Sequence, residues 1–365
     1  MSPAPGVPDG DIGVLITGVG SGSTGEQVYK ALRLGRRAYR LAVTNVNREQ
    51  SAVAGDACSI GLPPAGHPEY LGALATAAND FGAKFIVPGS DPELRSINAG
   101  AGELAALTAA IPLANNLHTV RTCWDKEATA RAVAAAGFTT PATIEFDEAS
   151  QAAEAVEKGG LEYPIIVKPK DLGGGSAHVY IAQDAQELEF FTGYILRQGA
   201  RVVLQTYVGD SESEYTVGVM HFPDGTLGGS FALRRDLTSL LSTRFRIPNR
   251  TRRAELGSWL VVSSGFSQGY TDDYADIRRA AEGIAGALKS TGPLNLQGRL
   301  VEGTLVLFEI NPRFSGTEAI RAMAEWNGPE ALIDWHLGVE PSLGRYRPRR
   351  ARFIRSLTEF VASRP

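Results

Sequence analysis

The chain of 365 residues has two cysteines, five histidines and no long apolar run. Each scarcity excludes a class of protein. Cys58 and Cys123 lie far apart, make no Cys-x-x-Cys pair and have no metal-ligand spacing. A disulfide scaffold is therefore not expected, which fits a reducing compartment. No stretch of about 18 apolar residues occurs, so no membrane-spanning helix is expected. Residues 1–11 are rich in Pro, Gly and Asp and lack the basic and apolar blocks of a signal peptide. The expected location is cytoplasmic. A formal charge of −4 gives no case for a nucleic-acid or membrane-surface partner. His67, His118, His178, His221 and His336 form no triad, and each reads as a local hydrogen-bonding residue.

What is present is ordinary globular material. Hydrophobic residues make up 43% and charged residues 21%, enough for a sizeable core, and the length predicts two or three compact units. Residues 13–17 form a short apolar run ending in glycines, as a buried parallel strand does. Helical spacing follows over 25–34, a second strand over 39–44, a helix over 67–81 and a third strand over 84–88. Asp91-Pro92 opens another helix. This alternation predicts an α/β layered unit over residues 11–117.

The pattern then changes. A helix is predicted from Asp125 to Gly137, strands over 163–169, 177–181 and 202–208, and a helix over 184–196. Strands over 214–221 and 227–233 are joined by Pro223-Asp224-Gly225, a hairpin signal. A long amphipathic helix over 272–289 precedes a second hairpin, 295–300 with 305–310. Paired strands with helices between them predict an α+β unit.

Three stretches carry chemistry. In Leu307-Phe308-Glu309-Ile310-Asn311-Pro312-Arg313 an acid sits inside an apolar strand with an amide two positions on. Residues i and i+2 share a strand face, so Glu309 and Asn311 are expected to point together while Phe308 and Ile310 pack behind. Carboxylate and amide oxygens are hard ligands suited to Mg2+. Gln297, on the preceding strand, is the candidate third ligand, and Arg313 is placed to clamp phosphate. A strand simply turning polar at its exit is the plainer alternative, weakened by the cost of burying Glu309 without a cation.

The second stretch ends an apolar strand with Lys168-Pro169 and continues into Gly173-Gly174-Gly175-Ser176. Glycine backbones approach phosphate closely and turn N–H groups toward it; a flexible hairpin tip is the alternative. No Gly-Lys-Ser/Thr follows, so this is not a Walker A loop. The third stretch, Gln205 to Val208 and then Glu214, offers backbone groups to a purine and a carboxylate to ribose, though two ordinary core strands would read the same way.

In this order and spacing the chain resembles the ATP-grasp superfamily, in particular ligases similar to the large subunit of carbamoyl phosphate synthetase. The matching residues are Asp125-Lys126, Lys168-Pro169, the glycines from Gly173, Gln205 to Val208, Glu214, and Glu309 to Gly316. Phe353-Ile354-Arg355 resembles the strand that closes the family's core sheet. The resemblance implies a pre-ATP-grasp, Rossmann-like α/β domain over 11–117. An ATP-grasp domain over 118–338 would follow, with a mobile lid subdomain at about 140–205, and then a basic C-terminal segment over 339–365. It implies that Lys126, Lys168, Gly173, Gly174, Gly175, Ser176, Gln205, Tyr207, Val208 and Glu214 bind ATP. Gln297, Glu309 and Asn311 would hold two Mg2+ ions, with Mn2+ an admissible substitute. Many members carry glutamate where this chain has Gln205, which puts a direct Gln205–adenine contact in doubt.

The implied reaction joins a small carboxylate to an amine through an acyl phosphate, with Arg313, Lys168 and Arg234 acting on the reacting groups. The substrates would be amino-acid-like, and a homodimer stays open. Arg234 begins a run of seven arginines ending at Arg253, read either as a solvated face or as a rim for substrate carboxylates or phosphates. A carboxylase or kinase of the same superfamily would share every motif. The glycines of Thr17 to Gly25 suggest a dinucleotide loop, but the spacing is not G-x-G-x-x-G. The second strand ends at Asn45-Val46-Asn47 rather than at an acid, so an NAD-dependent oxidoreductase is disfavoured.

Overall fold

The computed structural model describes residues 12–55, 57–148, 151–170, 178–345 and 348–358. Five parallel strands form the first sheet: β1 (Gly13–Ile16), β2 (Arg40–Asn45), β3 (Cys58–Gly61), β4 (Phe85–Val87) and β5 (Ile111–Pro112). Their order is β3-β2-β1-β4-β5. Central β1 is buried along its whole length, as a strand covered on both faces must be. Helix Thr24–Arg33 follows β1, capped by Ser23, whose hydroxyl accepts from the Glu26 N–H. The loop after β1 and the loop after β4 touch: a Cβ on Gly89 would lie 1.8 Å from the Thr17 carbonyl and 2.8 Å from the Gly25 Cα. No other residue fits at position 89 without moving one loop.

A second, four-stranded sheet follows, built from β6 (Thr143–Phe146), β7 (Ile165–Pro169), β8 (Tyr180–Ala182) and β9 (Val202–Thr206) in the order β6-β9-β7-β8. Helices Gln151–Lys158 and Ala185–Leu196 pack on it through Ala152, Leu188 and Ile195. β6 and its helix carry no sequence signal as clear as the others.

The central sheet contains β10 (Glu214–His221), β11 (Leu227–Arg235), β14 (Gly269–Thr271), β15 (Pro293–Val301), β16 (Thr304–Asn311) and β17 (Ala351–Phe353). The order is β16-β15-β10-β11-β14-β17, antiparallel throughout. Between β11 and β14 the arginine-rich segment folds as a separate ribbon, β12 (Thr243–Pro248) with β13 (Trp259–Ser263). One face of the central sheet packs Val217, Val219, Leu294, Leu296 and Leu307 on Ile277, Ala281 and Ile284 of helix Ala275–Ala287. Truncating Leu296 or Ile284 to alanine there would cost about 2–5 kcal/mol.

The N-terminal sheet is not an isolated unit. Val14 of β1, with Val28 and Leu32 of the helix that follows it, joins one core with Phe231 and Leu233 of β11, with Trp326, and with Ile320 and Leu332 of helices Glu318–Met323 and Gly328–His336. This shared core fixes the first sheet against the end of β16, where the site lies. Among the described residues no helix is long and apolar enough to cross a membrane.

Candidate active site

A cleft of about 1450 Å3, including its open mouth, runs between the second and central sheets and reaches the helix that follows β4. Glu309 and Asn311 stand at its floor, at the end of β16. The Asn311 side-chain amide donates to Glu309 Oε1 at 3.2 Å, so the two side chains share one strand face. The expected place of Phe308 is corrected. Gln297 pairs with Glu309 and Gly298 with Leu307, which leaves Phe308 as the extra residue of a β-bulge. The bulge turns Phe308 into the cleft, while Leu307 and Ile310 pack in the core. Gln297 faces Glu309 across the ladder, and Arg299, two residues on along β15, lines the cleft.

Lys168 at the end of β7 and Gln205 on β9 meet from the opposite wall: Lys168 Nζ donates to Gln205 Oε1 at 3.0 Å, and Gln205 Nε2 to Thr143 Oγ1 at 3.0 Å. Gln205 therefore serves as a partner for Lys168. Burial pulls the Lys168 ammonium down to about 8, and Lys126 adds to this while Glu309 opposes it. Lys126 lines the same cleft from the first turn of helix Lys126–Ala135, whose cap is the Asp125 carboxylate. Two cations facing Glu309 and Asn311 form a positive wall against an oxygen-rich floor.

Apolar side chains complete one end: Ile166, Val179, Val203, Val261 and Val262 line a slot beside Thr206, Tyr207 and Val208. Tyr207 contributes backbone only. Its ring is buried and its hydroxyl accepts from the Val261 N–H at 2.9 Å. The Thr206 and Tyr207 N–H groups are bonded to the Ala142 and Pro164 carbonyls.

Glu214 differs from expectation. It has no exposed surface and both its oxygens are engaged: Oε1 accepts from Arg235 at 3.0 Å and Oε2 from Arg299 at 3.0 and 2.9 Å. Burial works against its charge, but Arg299 and Arg235 outweigh that and hold the carboxyl below its usual range. The free ribose acceptor expected there is instead an anchor for two guanidiniums. Arg313 also differs. It makes two bonds to Asp91, of 2.9 and 3.0 Å, and a third to the Phe314 carbonyl. A free phosphate clamp was expected, and the acid on the neighbouring helix has taken the fork.

Arg234 is corrected outright. Successive residues of a strand face opposite ways, and on β11 it is the buried Arg235 that turns to the cleft side, where it bonds Glu214. Arg234 lies on the other face, 5.1 Å from the Tyr270 ring centroid. The rest of the arginine run is largely a solvated face: Arg244 and Arg246 are exposed on β12, and Arg250 pairs with Glu187. Gly173, Gly174, Gly175 and Ser176 lie outside the described residues.

The sequence offered little sign of four participants. Arg235 hid beside Arg234, Arg299 lay mid-strand, and Asp91 resembled a helix start. Arg355 comes from the segment after β17. Its Nη2 donates to the Gly316 carbonyl at 2.7 Å, and it lies 5.6 Å from the Phe266 ring centroid. Phe266 in turn abuts Gly22 of the first glycine-rich loop. Arg235 Nη2 donates to the Ser264 and Phe266 carbonyls at 2.8 and 3.1 Å, so both arginines meet Phe266. Each keeps one buried N–H nitrogen without a partner, Arg235 Nε and Arg355 Nη1.

A family model described as "ATP-grasp in the biosynthetic pathway with Ter operon" matches residues 263–357, which include Glu309, Asn311 and Arg355. The chain has the ATP-grasp fold. It superposes on N5-carboxyaminoimidazole synthetase from Staphylococcus aureus complexed with ADP at a TM-score of 0.63 and 14% identity, covering 91% of this chain and 79% of that one. For L-amino acid ligase from Bacillus licheniformis the values are 0.60 and 17%, over 94% and 78%. For D-alanine–D-alanine ligase from Bacillus anthracis complexed with ATP they are 0.53 and 17%, over 93% and 99%. No curated protein matches in sequence. The ATP-grasp fold of this chain thus joins a parallel N-terminal sheet to antiparallel sheets that flank the cleft.

Proposed function

We propose that this protein is an ATP-dependent carboxylate–amine ligase working through an acyl phosphate. The observation that carries the proposal is the convergence of Glu309 and Asn311 with Lys168 and Lys126 around one cleft that also holds an apolar slot. A purine would enter between Ile166, Val203 and Val262. The Val208 N–H, which follows two bonded amides, would serve as its backbone donor. The four-stranded sheet β6-β9-β7-β8 would act as the lid and the N-terminal sheet as the Rossmann-like wall.

The floor suits a hard cation. Glu309 offers carboxylate oxygens, Asn311 an amide oxygen, and Gln297 stands opposite in the ladder. Among the described residues no three His, Cys, Asp or Glu cluster as a softer or tighter metal cage. One or two Mg2+ ions would neutralise charge on the phosphate oxygens there. The chain's own groups do the rest. Lys168 and Lys126 hold the triphosphate in line. A substrate carboxylate oxygen attacks the γ-phosphorus, the bond to the ADP oxygen breaks, and an acyl phosphate forms. An amine then attacks the acyl carbon and expels phosphate, losing its extra proton to solvent or phosphate.

Arg235 and Arg355, with buried N–H groups still to be satisfied, would receive the anionic end of the carboxylate substrate near Gly22 and Gly316. Leaving them empty costs desolvation without return, so an anion is the expected occupant. The dinucleotide alternative loses its footing at Asn45, whose side-chain amide donates to the Val19 carbonyl at 2.9 Å; the position that reads ribose in NAD proteins is spent on holding the loop.

The test is phosphate release from ATP, screened over amino acids and small carboxylates singly and in pairs, with hydroxylamine as trap. A hydroxamate formed with one carboxylate supports the ligase. ATP turnover without hydroxamate points to a kinase of the same fold and overturns the acyl phosphate.

A further inference from the structure

The far face of the central sheet carries a second concavity, of about 790 Å3 including its mouth. It is separate from the cleft, because Arg234 and Arg235 project from opposite faces of β11. Its floor is aromatic. Tyr270 on β14 has Arg234 at 5.1 Å and Arg352 at 5.3 Å from its ring centroid. Tyr274 stands edge-on to Tyr215 at 5.2 Å, and Arg234 reaches the Tyr274 hydroxyl.

The charges are not balanced. Arg352 is neutralised by Asp236 at 3.0 Å. Arg234 and Arg350 have no carboxylate within salt-bridge distance among the described residues, although both line the groove with Asp272. Several other arginines near the surface find acids: Arg250 finds Glu187, Arg278 finds Asp273 and Arg349 finds Glu325. Arg234, held on the Tyr270 ring without an acidic partner, presents a fork suited to planar, bidentate recognition of an oxyanion, and Arg350 lines the same groove.

The backbone adds a second observation. Tyr274 has φ +39°, a left-handed conformation that a bulky residue adopts only under constraint. It precedes helix Ala275–Ala287, thirteen residues long, whose N-terminus receives no side-chain cap. A helix N-terminus favours negative charge; this one carries Asp276 in its first turn and lies beside Arg234 and Arg350.

We propose that this groove is a second binding site, taking the phosphate or an equivalent oxyanion of a small metabolite. Arg234 and Arg350 would grip the oxyanion, Tyr270 and Tyr274 would bear on the attached body, and Asp272 would receive a hydroxyl or amine of it. The proposal is independent of the reaction in the cleft.

The probe is inorganic phosphate, titrated into the full chain by calorimetry at constant ionic strength, with chloride as control. Wild type is compared with Lys168→Met, which alters only the cleft, and with Arg234→Met/Arg350→Ala, which alters only the groove. The expected result is saturable binding that survives Lys168→Met and weakens at least about 10-fold in the double variant, the loss of one or two charge-assisted bonds. Thermal melts keep the double variant honest; Arg350 is exposed, so Arg350→Ala alone serves if the double variant is unfolded. Binding lost in Lys168→Met, binding unchanged by both groove substitutions, or chloride as effective as phosphate would each overturn the proposal.

Discussion

Arg313 and Asp91 meet through two bonds of 2.9 and 3.0 Å, which tie the strand end bearing Glu309 and Asn311 to the helix after β4. The pair is only partly exposed, so removing the acid leaves a guanidinium short of partners in a confined place. Asp91→Ala is expected to destabilise the protein by about 1–3 kcal/mol and to lower turnover, because the strand bearing Glu309 and Asn311 loses its brace. A melting curve and an ADP-release assay on the same sample check this. Unchanged melting with unchanged turnover would leave the pair without a role.

Glu309→Gln should remove catalysis and keep the fold. An amide has one oxygen and no charge where phosphate charge moves in the transition state, and single contacts of that kind are worth about 3–4 kcal/mol, or roughly 100- to 1000-fold in rate. The half-buried carboxylate has no basic partner within salt-bridge distance among the described residues; its nearest bond is to the Asn311 amide. Neutralising it therefore should not lower the melting temperature. Near-normal ATP turnover would refute the assignment of this strand to the metal.

Lys168 gives a pH signature. Its folded value near 8 lies below the ordinary 10.5, so the folded chain sheds this proton before the unfolded chain does. Its contribution to stability of the unliganded protein therefore rises as pH climbs from about 8 toward 10.5, and is least favourable below that window. Nucleotide phosphates favour the charged form and raise the value again. Binding of an ATP analogue at about pH 9 should take up a proton, seen as a dependence of calorimetric heat on buffer ionisation enthalpy. In Lys168→Met that dependence should vanish. A wild type with no proton uptake would mean that Lys168 does not meet the phosphates.

Glu214 separates two roles by stability. As the shared partner of Arg235 and Arg299 it neutralises two buried cations, so Glu214→Ala should cost about 3–5 kcal/mol and shift the urea midpoint accordingly. A residue that only touched ribose would leave the midpoint in place and change the preference between ATP and its 2′-deoxy form.

The sequence made the strands and hairpins of the central sheet legible because their turns and apolar alternation are local: Pro223-Asp224-Gly225 and Glu302-Gly303 fix both hairpins within a few residues. It also placed Lys168, Gln205, Glu309 and Asn311 on strands that the fold brings together. It could not show Arg313 bound to Asp91, because that contact joins residues over 200 positions apart and depends on how two sheets pack. It chose Arg234 over Arg235 because a run of arginines carries no record of which face each occupies; that face is set by the pairing of β11 with β10. The bulge at Phe308 was invisible for the same reason, since it exists only in the register with β15. Short β5 and β17 depend on neighbours for their hydrogen bonds and leave little pattern of their own.

Arg355 offers the sharpest test of substrate class. Its Nη2 is fixed on the Gly316 carbonyl, while its Nη1 is buried with no partner. Burial pulls the guanidinium down to about 10; Glu26 partly offsets this and Arg235 adds to it. The Nε of Arg235 is buried and unpartnered as well. A buried donor that has lost water and gained no partner is satisfied when an anion reaches it. An acidic substrate would supply about 1.5–3 kcal/mol through one charge-assisted bond, so Arg355→Met should raise its KM by roughly 10- to 150-fold. The KM for ATP should stay within about twofold, since Arg355 does not line the cleft proposed for the nucleotide. Stability of the free variant should hold or rise, because a poorly satisfied buried cation has been removed. Arg355→Lys would restore charge but not the fork, and should recover only part of the affinity. Steady-state kinetics with each substrate varied in turn, beside a thermal melt, decide the matter. Equal rises in both KM values would move Arg355 to the nucleotide. A fall in stability with no change in either KM would make it a brace for the Gly316 loop, and the anionic substrate would have to bind elsewhere.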